Sequence, residues 1–238
     1  MVTFDPITVH KPLKLYLVWK DPEGRHHEVG WFNETHFQYH ADLHKAKAQG
    51  FKEHPAFVMS SEDPQRLYKN PVALLGKRCP PRHRVDYRDY LQAFCLNPDI
   101  TYDDFTLLAY TGGRISGDPF HVVNKLEGIQ EGSRFIIQLA GCDTHYFKAV
   151  ESPLSPEAMQ GLPLTLVPEP ENEYDPHAMS VTLQGTPLGY IHRVLAEPFH
   201  TWHAQQRIES IRIYRVNGTH DHRYVYAYVT LYADATKV

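Results

Sequence analysis

The chain has 238 residues, of which 42% are hydrophobic and 22% are charged. This composition excludes a disordered polypeptide and allows one large domain or two small ones. Its formal net charge of −4 excludes a protein that coats DNA through a broad positive surface. Residues 1–134 carry 17 basic and 17 acidic side chains, whereas residues 135–238 carry 7 and 11, so any nucleic-acid site in the second half must be local.

The first half is predicted to be an α+β module. Alternating apolar residues on either side of the turn Asp21–Gly24 predict a β-hairpin over Leu13–Phe32, and Phe37 and Tyr39 favour a further strand. Tyr87, Tyr90, Leu91 and Phe94 follow the i, i+3, i+4, i+7 spacing of an amphipathic helix. Predicted helices therefore cover residues 41–50, 86–96 and 102–110.

The second half is predicted to consist mainly of short strands. It begins near Gly132, and its three central apolar runs, within Leu164–Arg193, are separated by turns rich in Pro, Asn, Asp and Gly. The other predicted elements are strands at Arg134–Leu139 and Thr144–Ala149, a short helix at Pro156–Met159, a helix at Val194–Ile208, and a hairpin of Ser210–Val216 and Arg223–Tyr232 that turns at Asn217-Gly218.

The segment Leu164–Arg193 carries the most specific pattern in the chain. Its sequence contains Val-x-Glu-Pro-x-Asn-x-Tyr-Asp-Pro-x-Ala and then Leu-Gly-Tyr-Ile-x-Arg. These residues resemble the core of the HIRAN domain, which occurs in some helicase-like DNA repair proteins. The resemblance implies that residues 131–238 form a small antiparallel β-barrel of OB-like or SH3-like character, with short helices.

The resemblance also implies a binding pocket, because HIRAN domains of known function bind the 3′ end of single-stranded DNA. Tyr146 and Tyr174 would stack on the terminal base, and Asp175 would accept a hydrogen bond from the 3′ hydroxyl. His145 and Arg193 would contact phosphate. Two positions depart from the DNA-binding relatives: His145 replaces an arginine and Tyr190 replaces a histidine, so both lose basic character.

The same residues also have purely structural interpretations. Asn172 and Asp175 are typical of an Asx turn, Tyr174 could close the barrel, and Tyr190 could belong to the core. Glu169, Glu171 and Glu173 are interpreted as solvated turn residues.

A second resemblance covers the first half. The stretches LYLVWKDPEGRHHEVGWF, Pro81–Leu96 and LLAYTGGRISGDPFHV are similar to the N-terminal subdomain of HipA-type toxin kinases. Residues 1–130 would then form a HipA-like module in a bacterial protein of DNA repair or defence, with no kinase domain after it. Since that subdomain packs on protein in its relatives, the module is a candidate site for a protein partner.

Arginines are concentrated in one segment of the first half, which contains Arg78, Arg82, Arg84 and Arg88. One hypothesis is that they form a track for phosphates, which would compensate for the acidic second half. The alternative is a solvated surface, or ion pairs with the aspartates between positions 86 and 104.

Neither a metal site nor a catalytic site is predicted. His36, His40 and His44 would share one helix face, but Phe37–Tyr39 fits a strand and no acidic or cysteine ligand has suitable spacing. No motif of nucleophilic or metal-dependent catalysis is present, and we expect no cofactor. The three cysteines, Cys79, Cys95 and Cys142, fit neither a disulfide framework nor a CxxC site.

The sequence therefore predicts a non-catalytic protein that recognises single-stranded DNA at a free 3′ end. The alternative is a protein-interaction or regulatory module, antitoxin-like or an adaptor to a DNA-processing enzyme, with a vestigial pocket. An apolar run of membrane-spanning length and a signal-peptide pattern are both missing from the sequence, so we expect a cytoplasmic location with no membrane partner.

Overall fold

The computed structural model describes residues 2–59, 63, 65–142, 155–219 and 222–233. The chain forms two compact units, one over His10–Gly128 and the other over Ile129–Val238 together with Met1–Val9. Both units combine helices with antiparallel strands, which confirms the predicted α+β class.

The unit His10–Gly128 is built on one five-stranded antiparallel sheet with the strand order β4-β3-β2-β1-β5. Helices and a 3₁₀ turn at Gly76–Arg78 connect the strands. In chain order its elements are β1 Leu15–Lys20, β2 His26–Phe32, β3 His36–Tyr39, α1 His44–Ala48, β4 Tyr68–Lys69, α2 Pro71–Leu75, α3 Tyr87–Ala93, α4 Asp104–Thr111 and β5 Phe120–Val123.

The core of this unit lies around β1, an interior strand between β2 and β5, whose first five residues are all buried. Aromatic side chains fill one side of the sheet, and the rings of Phe37 and Phe57 stack with their centroids 4.2 Å apart. Gly30 permits this packing, because a Cβ atom there would lie 2.5 Å from the Gln38 carbonyl oxygen and 2.9 Å from the Phe37 ring.

The unit of Met1–Val9 and Ile129–Val238 contains two three-stranded antiparallel sheets, with the orders β10-β11-β6 and β7-β8-β9. A twelve-residue helix follows the second sheet. Its elements are β6 Arg134–Gln138, α5 Pro156–Met159, β7 Thr165–Pro168, β8 Met179–Leu183, β9 Thr186–Tyr190, α6 Arg193–Ala204, β10 Ile208–Thr219 and β11 His222–Leu231.

The two sheets of this unit meet at Tyr190. The backbones of Ala140 and Tyr190 exchange two hydrogen bonds of 2.8 Å, which connects the chain after β6 to β9. Gly189 allows this close approach, since a Cβ atom there would lie 2.6 Å from both the Ala140 oxygen and the Cys142 Sγ. The described residues show no closed barrel, and the predicted strand Thr144–Ala149 lies outside them.

Two predicted elements differ from the structure, and three short elements were not predicted. The hairpin does not turn at Asn217-Gly218, because Asn217 pairs with Tyr224 and the ladder continues to Thr219 and His222. The helix predicted to reach Ile208 ends at Ala204, where the chain leaves α6 to start β10. The short elements β4 and α2 and the edge strand β5 are not predicted from the sequence.

The histidine triplet belongs to more than one element. His36 lies in β3 and His44 begins α1, so the strand interpretation of this segment is correct. His40 Nε2 lies 2.7 Å from Glu28 Oε1. Over the described part of the chain, no helix has the length and apolar character needed to cross a membrane.

The buried carboxylate of Asp21 organises the turn between β1 and β2. Its Oδ1 accepts hydrogen bonds from the backbone N–H groups of Glu23 and Arg25. Its Oδ2 accepts from Arg25 Nε at 2.9 Å and lies 3.0 Å from His27 Nε2. Burial alone would raise the pKa of Asp21, but hydrogen bonds from His27 and Arg25 outweigh it and lower the pKa to about 2.

This low pKa predicts a specific loss of stability in acid. A carboxylate with a pKa of 3.8 when unfolded and about 2 when folded stabilises the protein above the higher value, and this contribution disappears as the pH falls toward the lower one. The difference corresponds to about 2 kcal/mol. We expect Asp21→Asn to remove this part of the pH dependence when the free energy of unfolding is measured by urea titration. Parallel wild-type and variant profiles between about pH 6 and pH 2 would contradict this role.

Candidate nucleic-acid interface

The candidate site is the acidic turn, which we define as Glu169–His177, between β7 and β8. Its two ends are fixed by backbone hydrogen bonds, from Glu169 N–H to the Ala178 oxygen and from Ala178 N–H to the Asp175 oxygen. The proline-rich sequence favours a turn here, because Pro170 and Pro176 lack the N–H groups that would continue the strands.

Asn172 holds the interior of the acidic turn. Its Oδ1 accepts hydrogen bonds from the backbone N–H groups of Tyr174 at 3.0 Å and Asp175 at 3.2 Å. Its Nδ2 donates to Glu169 Oε2 at 3.0 Å. This is the Asx-turn geometry expected for asparagine, and it fixes the backbone of the two residues predicted to recognise DNA.

Tyr190 connects the acidic turn to the sheet. Its hydroxyl lies 3.3 Å from both carboxylate oxygens of Glu169, to which it donates. Since Glu169 also accepts from Asn172, the three side chains form one hydrogen-bonded chain from β9 into the turn. Tyr190 is half-buried, and its hydrogen bond to Glu169 gives it a positioning role here. Glu169 is therefore not a purely solvated residue.

Asp175 presents an ordered carboxylate at the end of the acidic turn. The side chain is 18% exposed, and its Oδ1 accepts a hydrogen bond from the His177 backbone N–H at 2.9 Å. Its Oδ2 lies 3.7 Å from Nε of Arg193, the first residue of α6. The side chain of His192 caps this helix by accepting from the Val194 N–H. The structure thus brings together Asp175 and Arg193, two of the residues predicted to contact DNA.

Tyr174 projects from the same turn with 78% of its surface exposed. A tyrosine at this exposure contributes little to a core, so the idea that it closes the barrel is not supported by its position. His145 and Tyr146, the other predicted contacts, lie outside the described residues.

Two histidines near this site were not singled out from the sequence. The rings of His177 and His200 meet edge to face, with their centroids 5.4 Å apart, and His177 Nδ1 lies 3.8 Å from Asp175 Oδ1. Arg193 and His200 are seven residues apart in α6, which places them on one helix face. That spacing was the only signal available in the sequence.

A shallow depression of about 380 Å³ opens on the acidic turn, lined by Glu169, Pro170, Glu171 and Asn172. Carboxylates dominate the local charge, since four of them fall within seven residues: Glu169, Glu171, Glu173 and Asp175. A polyanion would therefore be attracted only close to Arg193, and recognition here must depend on short-range contacts.

The four arginines of the hypothetical phosphate track lie in the other unit, and Arg78 is structural. Its guanidinium group is 6% exposed and pairs with Asp118 Oδ2 at 2.8 Å. It also donates to the carbonyl oxygens of Gly113 and Phe120. A buried guanidinium with these partners supports the loop before β5.

The other three arginines are also paired with carboxylates. Arg82 binds Asp104, Arg84 binds Asp86, and Arg88 binds Asp99. Phosphate would have to compete with an aspartate at each position, so this arrangement favours the ion-pair alternative that the sequence left open.

No family model matches this chain. A search of the curated proteins also finds no match. Among solved structures, the HIRAN domain of human HLTF matches with a TM-score of 0.32 and 14% identity, over 41% of this chain and 74% of that one. The resemblances of residues 131–238 to the HIRAN domain and of residues 1–130 to the HipA subdomain stay predictions.

Asn172→Ala tests whether the asparagine amide holds the turn. The variant loses the acceptor for two backbone N–H groups and the donor to Glu169. We expect the Tyr174 and Asp175 amides to exchange with solvent about fivefold faster, for a loss of about 1 kcal/mol. Hydrogen exchange followed by NMR measures this directly.

The matched control is Asn124→Ala, which removes an amide that accepts from the Leu126 N–H in the other unit. It should leave exchange in the acidic turn unchanged. Wild-type exchange of both amides in Asn172→Ala would refute the positioning role.

Proposed function

We propose that this chain is a non-catalytic module that binds single-stranded DNA at a free 3′-hydroxyl end through the acidic turn. The observation that carries the proposal is that two neighbouring residues of the turn differ in exposure, one side chain being open to solvent and the other mostly buried. Tyr174 offers an open ring, and Asp175 offers a fixed carboxylate beside Arg193. These are the residues that the HIRAN resemblance assigns to the terminal base, the 3′ hydroxyl and phosphate.

The chemistry of each group suits this role. Stacking of a base on a tyrosine contributes roughly 1–3 kcal/mol and tolerates any base. A carboxylate accepts a hydrogen bond from a hydroxyl group but repels a terminal phosphate, so Asp175 would select strands by their end. Arg193 stands close enough to offset part of the Asp175 charge and to contact the last bridging phosphate.

The acidic surroundings favour an end over an internal segment. Glu171 and Glu173 are exposed in the same turn and would repel a strand that continued past the site. A terminus presents fewer phosphates to these carboxylates. In DNA, the 3′ hydroxyl is also the only group of the sugar–phosphate backbone at that end that can donate a hydrogen bond. Selection for the end thus follows from the same charges that weaken general binding.

Tyr174→Ala tests the stacking role. We expect its affinity for a short 3′-hydroxyl strand to fall by about tenfold or more, because the exposed ring is lost. Fluorescence anisotropy at low and moderate salt provides the measurement. Tyr174→Phe keeps the ring and should bind like the wild type. Wild-type affinity in Tyr174→Ala would exclude stacking on this residue.

Asp175→Asn tests the reading of the hydroxyl. Asparagine keeps an oxygen for the His177 N–H but removes the charge that repels a terminal phosphate. We expect the wild type to prefer a 3′-hydroxyl strand over the same strand with a 3′ phosphate, and the variant to lose this preference largely by binding the phosphorylated strand better. Anisotropy with both strands measures the ratio.

Glu173→Gln is the matched control for Asp175→Asn, because it removes an equal charge from the same turn. It should strengthen binding of both strands by the same factor and leave the preference intact. An unchanged preference in Asp175→Asn would exclude the assigned role. If the wild type bound neither strand, the proposal would fail and the protein-interaction alternative would remain.

A further inference from the structure

A second surface in the same unit has the chemistry of a nucleic-acid contact. It lies on the outward side of the β10-β11-β6 sheet and is distinct from the acidic turn, which belongs to the other sheet. We call it the hairpin face. It consists of Gln138, Arg215, Asn217, Tyr224 and Tyr226.

Strand register brings these residues together. Tyr226 on β11 pairs with Arg215 on β10 and with Gln138 on β6. Two residues further along β10, Asn217 pairs with Tyr224 on the same side of the sheet. The residues between them in sequence, Val216 and Val225, are buried on the other side. The alternation of a strand therefore places two aromatic rings, two amides and one guanidinium on one surface.

The rings and the guanidinium group are arranged for stacking. The guanidinium carbon of Arg215 lies 4.5 Å from the centroid of the Tyr226 ring, which holds the planar cation over the sheet. Tyr224 is 45% exposed. Bases of single-stranded nucleic acids stack both on tyrosine rings and on arginine planes, so the hairpin face presents two stacking platforms on neighbouring pairs.

The local charge also fits a polyanion. Neither residues 212–217 nor residues 224–228 include an aspartate or a glutamate, whereas both Arg212 and Arg215 lie on this stretch of β10. Arg212 is exposed. This basic stretch stands out in a half of the chain that carries 7 basic and 11 acidic residues. Phosphate groups would be attracted to these arginines, whereas the carboxylates of the acidic turn would repel them.

We propose that the hairpin face binds single-stranded nucleic acid along its length, with bases stacked on Tyr224 and on the Arg215 guanidinium. The amides of Asn217 and Gln138 are placed to contact base edges or sugar oxygens. Binding at this surface does not require a strand end. It therefore stands independently of the function proposed for the acidic turn.

A circular single strand separates the two surfaces, because it has no 3′ end. We expect the full-length protein to bind a labelled DNA circle of about 20 nucleotides, long enough to cross several stacking positions. Arg215→Ala and Tyr224→Ala should each weaken this binding by about tenfold, whereas Tyr224→Phe keeps the ring and should bind normally. Anisotropy with DNA and RNA circles of the same sequence shows which backbone the surface accepts.

Two controls make the result specific. Arg66→Ala removes an exposed arginine that also lies over a tyrosine ring, 5.5 Å from Tyr68, in the other unit, and it should bind the circle normally. Asn124→Ala, the control used for the acidic turn, also lies in the other unit and should likewise leave circle binding unchanged. Thermal unfolding confirms that each variant is folded. If Arg215→Ala does not fold, Tyr224→Ala, at a partly exposed position, decides the test.

Three results would overturn the proposal: no binding of either circle, wild-type binding by both Arg215→Ala and Tyr224→Ala, or an equal loss in Arg66→Ala. Loss of the 3′-hydroxyl preference with circle binding retained would reject only the function proposed for the acidic turn. Retained end preference with no circle binding would reject only the hairpin face.

Discussion

The hydrogen bonds of the Asn172 side chain are the constraint on which the candidate site depends. A turn with four carboxylates would expand through charge repulsion if its backbone were not fixed. One amide fixes it by accepting from two backbone N–H groups and donating to Glu169. Because Glu169 is held in turn by Tyr190, the position of the exposed Tyr174 is set by the sheet and not by the turn alone.

Much of the fold follows from local sequence patterns. Alternating apolar residues correctly placed the β1–β2 hairpin, and the i, i+3, i+4, i+7 spacing correctly placed α3. The errors occur where long-range pairing decides. Asn217-Gly218 is a strong local turn signal, but pairing of Asn217 with Tyr224 extends the ladder beyond it. The strand β5 was missed because four residues pairing with β1 leave no periodic pattern of their own.

The candidate site was only partly predictable for a related reason. The resemblance of Leu164–Arg193 to the HIRAN core pointed to Tyr174, Asp175 and Arg193, because those residues lie at fixed positions within one short segment. The contact of Tyr190 with Glu169 depends on the register between β8 and β9, which includes a bulge between Val181 and Thr182. The arginine cluster suggests a phosphate track in the sequence, but the structure pairs these arginines with aspartates. Closeness of like charges in the sequence does not show which opposite charges lie beside them in the fold.

Continuity between the two sheets bears on how both surfaces would act on one strand. Gln138 of the hairpin face lies two residues before Ala140, whose backbone pairs with Tyr190, and Tyr190 holds the acidic turn through Glu169. Gly189 lets the two backbones approach, so this backbone junction connects the sheets that carry the two surfaces. A strand that engages both pays the entropic cost of association once, and a weak contact at each surface then yields a higher combined affinity. With the two proposed surfaces, an acidic protein would gain selectivity for strand ends without a broad positive surface.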